Sequence, residues 1–345
     1  MQTPERPATN YYAGIDLHKQ SLRLHVIDAT GVTVYQETIG KHKYIRLRTA
    51  LARFGRDVTV GVESTYNWYW VIDLLRREGI PCQLGHARDV HRQQGKHKSD
   101  VKDAEAISRM VWLGTLPPAY CYPAEWRATR DVLRKRLRLV WEHTRHGLHG
   151  AAVADQYLIE EGPLAARHYP ASVVADIERV IEIDLQMQNV LATMIQQLED
   201  WAVHRATAHD PELYRMLTAI PGVGPVIALT LIYEIHTIER FRSPQAFSSY
   251  ARVVNAQCES SGKRVGAGDT KCGNPYLCRV LHMLALSSVR TQPRIAAWYH
   301  TLIHNRGRHT ARRILAHRWA VAMYAIWKRR EAFDLNKFLG TATHA

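Results

Sequence analysis

The first 110 residues alternate between strand-like and helix-like patterning. YYAGID (11–16), LRLHVID (22–28) and VTVYQETI (32–39) are runs rich in β-branched and aromatic residues, separated by short breaks. The Gly31 turn between the last two reads as a hairpin, so three antiparallel strands open the chain. A helical stretch follows over 44–54, then a buried strand VTVGVE (58–63), a helix over 67–78 and a strand IPCQLG (80–85). The order βββ-α-β-α-β-α is that of an RNase H-like fold.

Beyond this α/β part the pattern turns helical. Over 124–156, Leu133, Leu137, Val140, Thr144 and Leu148 recur at spacings of three and four, among seven basic residues between Arg127 and Arg145. A second long helix, over 171–203, carries a similar apolar stripe and is acidic, with six Asp and Glu against Arg179. Long helices of opposite charge suggest an antiparallel hairpin or a dimerising coiled coil, with a plain helical spacer as the alternative. From about residue 211 a third, mostly helical region runs to about 333. The expected organisation is α/β plus all-α: 1–112 an RNase H-like domain, 113–205 a long-helix region, and 206–345 a helical domain holding the IPGVG and ESSGK segments.

Charge sharpens this division. The chain has 46 Lys and Arg against 32 Asp and Glu, a formal charge of +14, yet residues 1–239 carry 28 of each sign. The whole excess therefore lies in residues 240–345, with 18 basic against 4 acidic side chains. A one-ended basic surface is the footprint of a polyanion, because covering phosphates releases condensed counterions. Five cysteines, with Cys272 and Cys278 spaced too widely for a structural zinc pair, argue against a disulfide framework and for a reducing compartment. The longest apolar run (226–235) is too short to span a bilayer, so a cytoplasmic, nucleoid-associated protein without a membrane partner is expected.

Candidate chemistry begins with four acids. Asp16 ends the first strand, Glu63 ends the fourth, and Asp100 and Asp103 lie three apart in KSDVKDA, a spacing that puts both on one helix face. In an RNase H-like sheet the first and fourth strands are neighbours and a following helix crosses their ends, so the four can converge. Convergent carboxylates repel unless cations sit among them, and hard oxygen ligands suit Mg2+ or Mn2+, two of which can serve phosphoryl transfer. Taken singly, each acid has a plainer explanation: GID also opens the phosphate hairpin of sugar kinases, and Asp-x-x-Asp is common on solvated helices.

IPGVG followed by an apolar helix reads as a helix-hairpin-helix turn, in which Gly222 and Gly224 let backbone amides approach a phosphate. A tight turn between packed helices is the alternative. In ESSGKRVGAGDTKCGN, small and basic residues, among them Lys263, Arg264 and Lys271, surround Ser260 and Ser261. Serine is a poor nucleophile without an activating base or metal, and no triad is legible here, so composition alone favours a flexible loop.

These segments together resemble the transposases of the insertion sequence 110 family, which join a RuvC-like DEDD domain to a C-terminal transposase domain. The likeness rests on YYAGIDLHK, VGVEST, KSDVKDA, AIPGVGPVIALTLIYEI, FRSPQAFSSYARVVNAQCESSGK and ARRILAHRWAVAMYAIWKRREAFD, which follow one another in family order over nearly the whole chain. It implies that Asp16, Glu63, Asp100 and Asp103 are metal ligands and that Ser260 forms a phosphoserine link to a cut DNA strand. It further implies donor and target DNA as substrates, a noncoding guide RNA, and a homodimer that assembles to a tetramer. Tyr66 stands where the family commonly has Gly, Ser99 replaces a usual Thr, and Ser261 leaves the nucleophile's register open by one. The competing readings are a RuvC-like nuclease or junction resolvase that uses water, and a nucleic-acid-binding protein with a decayed catalytic domain.

Overall fold

A computed structural model describes residues 9–94, 100–157, 169–254, 257–260, 263–267 and 272–340. The chain divides into two compact units, 1–124 and 125–345.

The first unit is built on a five-stranded mixed sheet. Its strands are β1 (Tyr11–Leu17), β2 (Leu22–Asp28), β3 (Thr33–Ile39), β4 (Val58–Glu63) and β5 (Cys82–Gly85), in spatial order β3-β2-β1-β4-β5. β1 pairs antiparallel with β2 and parallel with β4, and β4 pairs parallel with β5. β1 and β4 are buried almost throughout, which explains their near-continuous apolar runs, whereas β3, at the edge, alternates. α1 (Lys43–Ala52) and α2 (Tyr69–Arg77) supply Leu47, Leu51, Val71 and Leu75 to one core. After β5 come two helices, α3 (Ala87–Gln94) and α4 (Asp100–Trp112), where the sequence led us to expect one. Ile107 and Val111 of α4 join Tyr12 and Ile27 in a second core.

α4 sits on a glycine floor. Gly14 and Gly61 are register partners on β1 and β4. A Cβ on Gly14 would stand 2.1 Å from the Ala104 carbonyl oxygen and 2.5 Å from the Ser108 nitrogen, and one on Gly61 2.4 Å from Val111 Cγ2. Only hydrogen at these positions lets a helix backbone approach so closely.

The second unit opens with α5 (Ala124–Gln156) and α6 (Ala171–His209). They run antiparallel: Arg136 pairs with Glu199, the Gln188 amide donates to the His143 carbonyl at 3.2 Å, and Asp184 receives His146 and His149. Of the arrangements left open by sequence, the antiparallel hairpin is present. α7 (Pro211–Thr218), α8 (Pro225–Ile235), α9 (Pro244–Tyr250), α10 (Pro275–Thr291), α11 (Pro293–Arg306), α12 (Arg308–Arg329) and α13 (Leu335–Leu339) follow. Five of these begin with proline at the first turn, four of them after a side-chain cap from Asp210, Ser243, Asn274 or Gln292. They enclose one core centred on α12, whose buried Trp319 donates its indole N–H to Ser288 Oγ at 3.0 Å.

The region is mostly helical, as expected, but where composition favoured a flexible loop around Ser260 it holds a two-stranded hairpin, β6 (Gln257–Ser260) and β7 (Lys263–Ala267). Strands of four and five residues are too short for apolar periodicity to announce them. Cys82, Cys121, Cys272 and Cys278 are free thiols, and among the described residues no helix is long and apolar enough to cross a membrane.

Candidate functional site

Asp16 and Glu63 lie on neighbouring parallel strands, each one residue beyond the paired Ile15 and Val62. Both are buried, at 5% and 2% exposure, which is costly for an ionised carboxylate unless partners compensate. Each has a histidine: His18 Nε2 stands 2.9 Å from Asp16 Oδ2, and His91 Nε2 3.2 Å from Glu63 Oε1.

Secondary contacts hold these histidines in place. Lys43 Nζ donates to the His18 and Lys19 carbonyls at 3.4 and 2.8 Å, and the Asn67 amide donates to the His18 carbonyl at 3.2 Å. The β1–β2 turn that follows Asp16 is thereby tied to α1 and to the segment after Glu63. Ser64 Oγ accepts the Ala87 amide at 3.1 Å, fixing the start of α3, which carries His91. Tyr66, in the same post-strand segment, is 74% exposed.

α4 approaches with its first turn leading. Trp112, at the end of α4, donates its indole N–H to the Ala29 carbonyl at 3.2 Å beside the amino end of β1, and Ser108 meets His25 opposite Gly14, so the start of the helix points toward the carboxyl end of β1. From Ala104 to Asp100 is about 6 Å along a helix, and from Gly14 to Asp16 about 7 Å along a strand. The first turn of α4, with Asp100 and the half-buried Asp103, therefore reaches the level of Asp16 and Glu63. Among the described residues no three His, Cys, Asp or Glu side chains form a group able to hold a metal ion, and the Asp100 side chain lies outside them. As donors the four acids fit Mg2+ or Mn2+: all are hard oxygens, and two are buried side by side where net negative charge calls for a cation.

The other expected site residues lie in the second unit. Ser260 ends β6 and pairs across the hairpin with Lys263, as Glu259 does with Arg264, with a bulge between Cys258 and Glu259. The hairpin's side chains, Ser261 and Lys271 lie outside the described residues. IPGVG forms the turn between α7 and α8. Gly222, at φ 88°, lies against α10, where a Cβ would come within 2.6 Å of the Ser288 nitrogen, so its absence of side chain serves helix packing. Gly224 is the exposed N-cap of α8, with open space around a Cβ.

The base of the hairpin is firmly held. Asn274 caps α10, donates its amide N–H to the Tyr250 carbonyl at 2.6 Å, and passes its side-chain amide to Glu234 Oε2 at 2.7 Å. Glu234, 1% exposed, also receives Arg134 through two bonds of 2.6 and 2.7 Å, and the guanidinium lies 4.3 Å over the Tyr276 ring. This buried pair links α5, α8 and the return from β7.

Sequence reasoning passed over His18 and His91. His18 was within reach: it lies two residues after Asp16, just beyond the end of β1. His91 had no local signal, since only the packing of α3 brings it to Glu63.

Comparison with known proteins adds independent observations. Residues 13–159 match a DEDD-type IS110 family model described as "Transposase", and residues 214–300 match "Transposase IS116/IS110/IS902 family". The transposase for insertion sequence element IS1111A of Coxiella burnetii is 24% identical over 93% of this chain and 90% of its own length. A probable family 20 transposase of Pseudomonas aeruginosa is 24% identical over 93% and 97%, and the putative transposase y4pF/y4sB of Sinorhizobium fredii 22% identical over 81% and 73%.

Proposed function

The chain belongs to the insertion sequence 110 family of transposases, and from that membership we propose a DNA recombinase that cuts by serine attack with the help of a DEDD metal site. The observation that carries this reading is the burial of Asp16 and Glu63 at the ends of adjacent parallel strands, with α4 seated on Gly14 and Gly61 two residues before them. The β3-β2-β1-β4-β5 order, with only β2 antiparallel to its neighbours, supports an RNase H-like fold for this unit.

Asp16, Glu63, Asp100 and Asp103 would hold two Mg2+ or Mn2+ ions, which supply positive charge at the scissile phosphate. Ser260 Oγ attacks the phosphorus and loses its proton to solvent; a P–Oγ bond forms, a P–O bond to deoxyribose breaks, and the departing oxygen takes up a proton. His18 and His91 stand at ion-pair distance from the two buried carboxylates and would orient them, as outer partners of metal ligands commonly do. The α7–α8 turn with Gly222 and Gly224, and Lys263, Arg264 and Lys271 around the hairpin, meet the DNA backbone.

A homodimer that assembles to a tetramer on two duplexes completes the reading, and α6 supports the homodimer. Ile177, Ile181, Asp184, Gln188, Leu191, Ile195 and Ala202 are buried or half-buried along one face, while Val180, Ile183, Met187, Val190, Met194 and Trp201, each one residue before a member of that series, are exposed. An unpaired heptad seam of this kind suits a second copy. The basic excess leaves room for a guide RNA, which sequencing of copurifying nucleic acid would identify as one discrete species from beside the gene.

The deciding experiment is a nicked DNA duplex incubated with Mg2+ and resolved under denaturing conditions. Wild type and Ser261→Ala should leave a covalent protein–DNA adduct, and Ser260→Ala none. An adduct that survives Ser260→Ala and vanishes in Ser261→Ala would move the nucleophile by one. DNA cut without any adduct would favour the hydrolytic nuclease or junction resolvase.

A further inference from the structure

A groove of about 320 Å³ runs between the end of the α9 segment and α12. One wall is Val253 and Val254, and the chain enters β6 three residues later. The other is a single face of α12: His309, Arg313 and His317 at successive spacings of four, with Thr310 beside them. Four residues of helix advance about 6 Å, so three nitrogen-bearing side chains form a ladder with one rung per turn.

The charge around this ladder has one sign. Between Asp269 and Glu331 the chain carries 12 Lys and Arg and no acid. The two carboxylates that reach the far end of α12 from elsewhere, Glu239 on Lys328 and Asp210 on Arg330, bind near its C-terminus, more than two turns beyond His317. At the groove end, Arg252, Arg312 and Arg313 all act on the Cys278 thiol, and burial beside Arg312 and Arg313 pushes the neighbouring His282 imidazole below its ordinary range. A basic groove with apolar flanks and hydroxyl and imidazole donors suits an extended polyanion whose charges repeat at short intervals, and a helix face is rigid enough to set its path.

We infer that this α12 groove seats the phosphodiester backbone of DNA and leads it toward the hairpin that carries Ser260. The inference rests on the transposase reading for the identity of the polyanion, but the contact itself is independent of base sequence and of serine chemistry. Arg313 is the central charge, and His309, Thr310 and His317 supply hydrogen-bond donors on either side of it.

The test measures binding of the full chain to a short fluorescein-labelled DNA duplex of arbitrary sequence, by anisotropy, across a salt series. Each phosphate contact adds roughly 0.9 to the slope of log affinity against log salt. Arg313→Gln should weaken binding and flatten that slope by about 1, while Arg313→Lys should keep it, since it keeps the charge. Arg56→Gln, a charge removed from the first unit, serves as control and should leave the slope unchanged. Far-ultraviolet circular dichroism shows whether each variant is folded, and the charge-retaining variant separates lost charge from lost structure. If wild type forms the serine adduct, Arg313→Gln should reach the same end point only at higher DNA concentration. An unchanged slope in Arg313→Gln overturns the groove whatever happens to the adduct. A flattened slope in a chain that forms no adduct keeps the groove and sinks the serine reading. A loss confined to structured RNA, with DNA binding intact, also overturns the inference.

Discussion

Replacing Gly14 by alanine adds one methyl group and should unseat α4. The new Cβ would lie 2.1 Å from the Ala104 oxygen and 2.5 Å from the Ser108 nitrogen, both backbone atoms that no rotamer change can withdraw. Relief therefore requires the helix to move by more than 1 Å, a shift transmitted to the packed Ile107 and Val111. Overpacking of a rigid core costs typically 1–3 kcal/mol, and the backbone nature of both neighbours puts this case at about 3 kcal/mol, roughly a hundredfold in the folding equilibrium. Gly40→Ala is the matched control, since a Cβ there meets nothing within 4 Å. Urea denaturation of both variants, read by hydrogen exchange on peptides of α4, should show earlier opening in Gly14→Ala and none in Gly40→Ala. Metal-dependent cleavage by Gly14→Ala should fall at temperatures where the chain is still folded, because the first turn of α4 carries Asp100 and Asp103. Equal protection of α4 in the two variants would refute the close seating from which the carboxylate site is argued.

Three further outcomes are expected. Mg2+ should raise the melting temperature of the wild-type chain and leave that of Asp16→Asn unmoved, because only a ligand bound by the native state stabilises it; an equal rise in both would remove Asp16 from the metal site. Glu234→Ala leaves Arg134 and Asn274 facing an emptied, buried position and should cost about 3–5 kcal/mol, checked by thermal melting. Hydrogen bonds from His146 and His149 hold the Asp184 carboxyl below its ordinary value, so the α5–α6 clasp stands above the ordinary carboxylate range and is lost as pH falls through that lowered value. Exchange protection along α5 and α6 should follow this acid transition in wild type and be independent of it in Asp184→Asn.

The strands of the first unit were legible because each reading had two supports, a buried apolar run and a flanking turn. The Val58–Glu63 strand, for example, emerges with the limits its sequence suggested. The first helix after β5, α3, was missed because ARDVHRQQ has little apolar content and owes its position to packing against its surroundings. The pairs Asp210-Pro211, Ser243-Pro244 and Asn274-Pro275 start helices, each a capping side chain before a proline that needs no amide partner, a signal that the sequence reading left unused. The hairpin around Ser260 lacked any such mark, and glycines that suggest freedom in sequence here flank a segment whose base is fixed by Asn274 and Glu234.

The two halves of the candidate site differ in what sequence can say of them. A strand-end carboxylate is placed by its own strand, so Asp16 and Glu63 follow from local pattern and sheet order. Their histidines do not follow equally: His18 sits in the short turn that directly follows the strand of Asp16, whereas His91 depends on Ser64 holding the first amide of α3. His91 is thus the more sensitive reporter of tertiary assembly. Ser64→Ala should loosen the start of α3 and, through His91, the orientation of Glu63, while leaving Asp16 and His18 as they are. A weakened Mg2+ response in Ser64→Ala, reproduced by His91→Ala and not deepened in the double variant, would establish that chain of contacts; additive losses would break it.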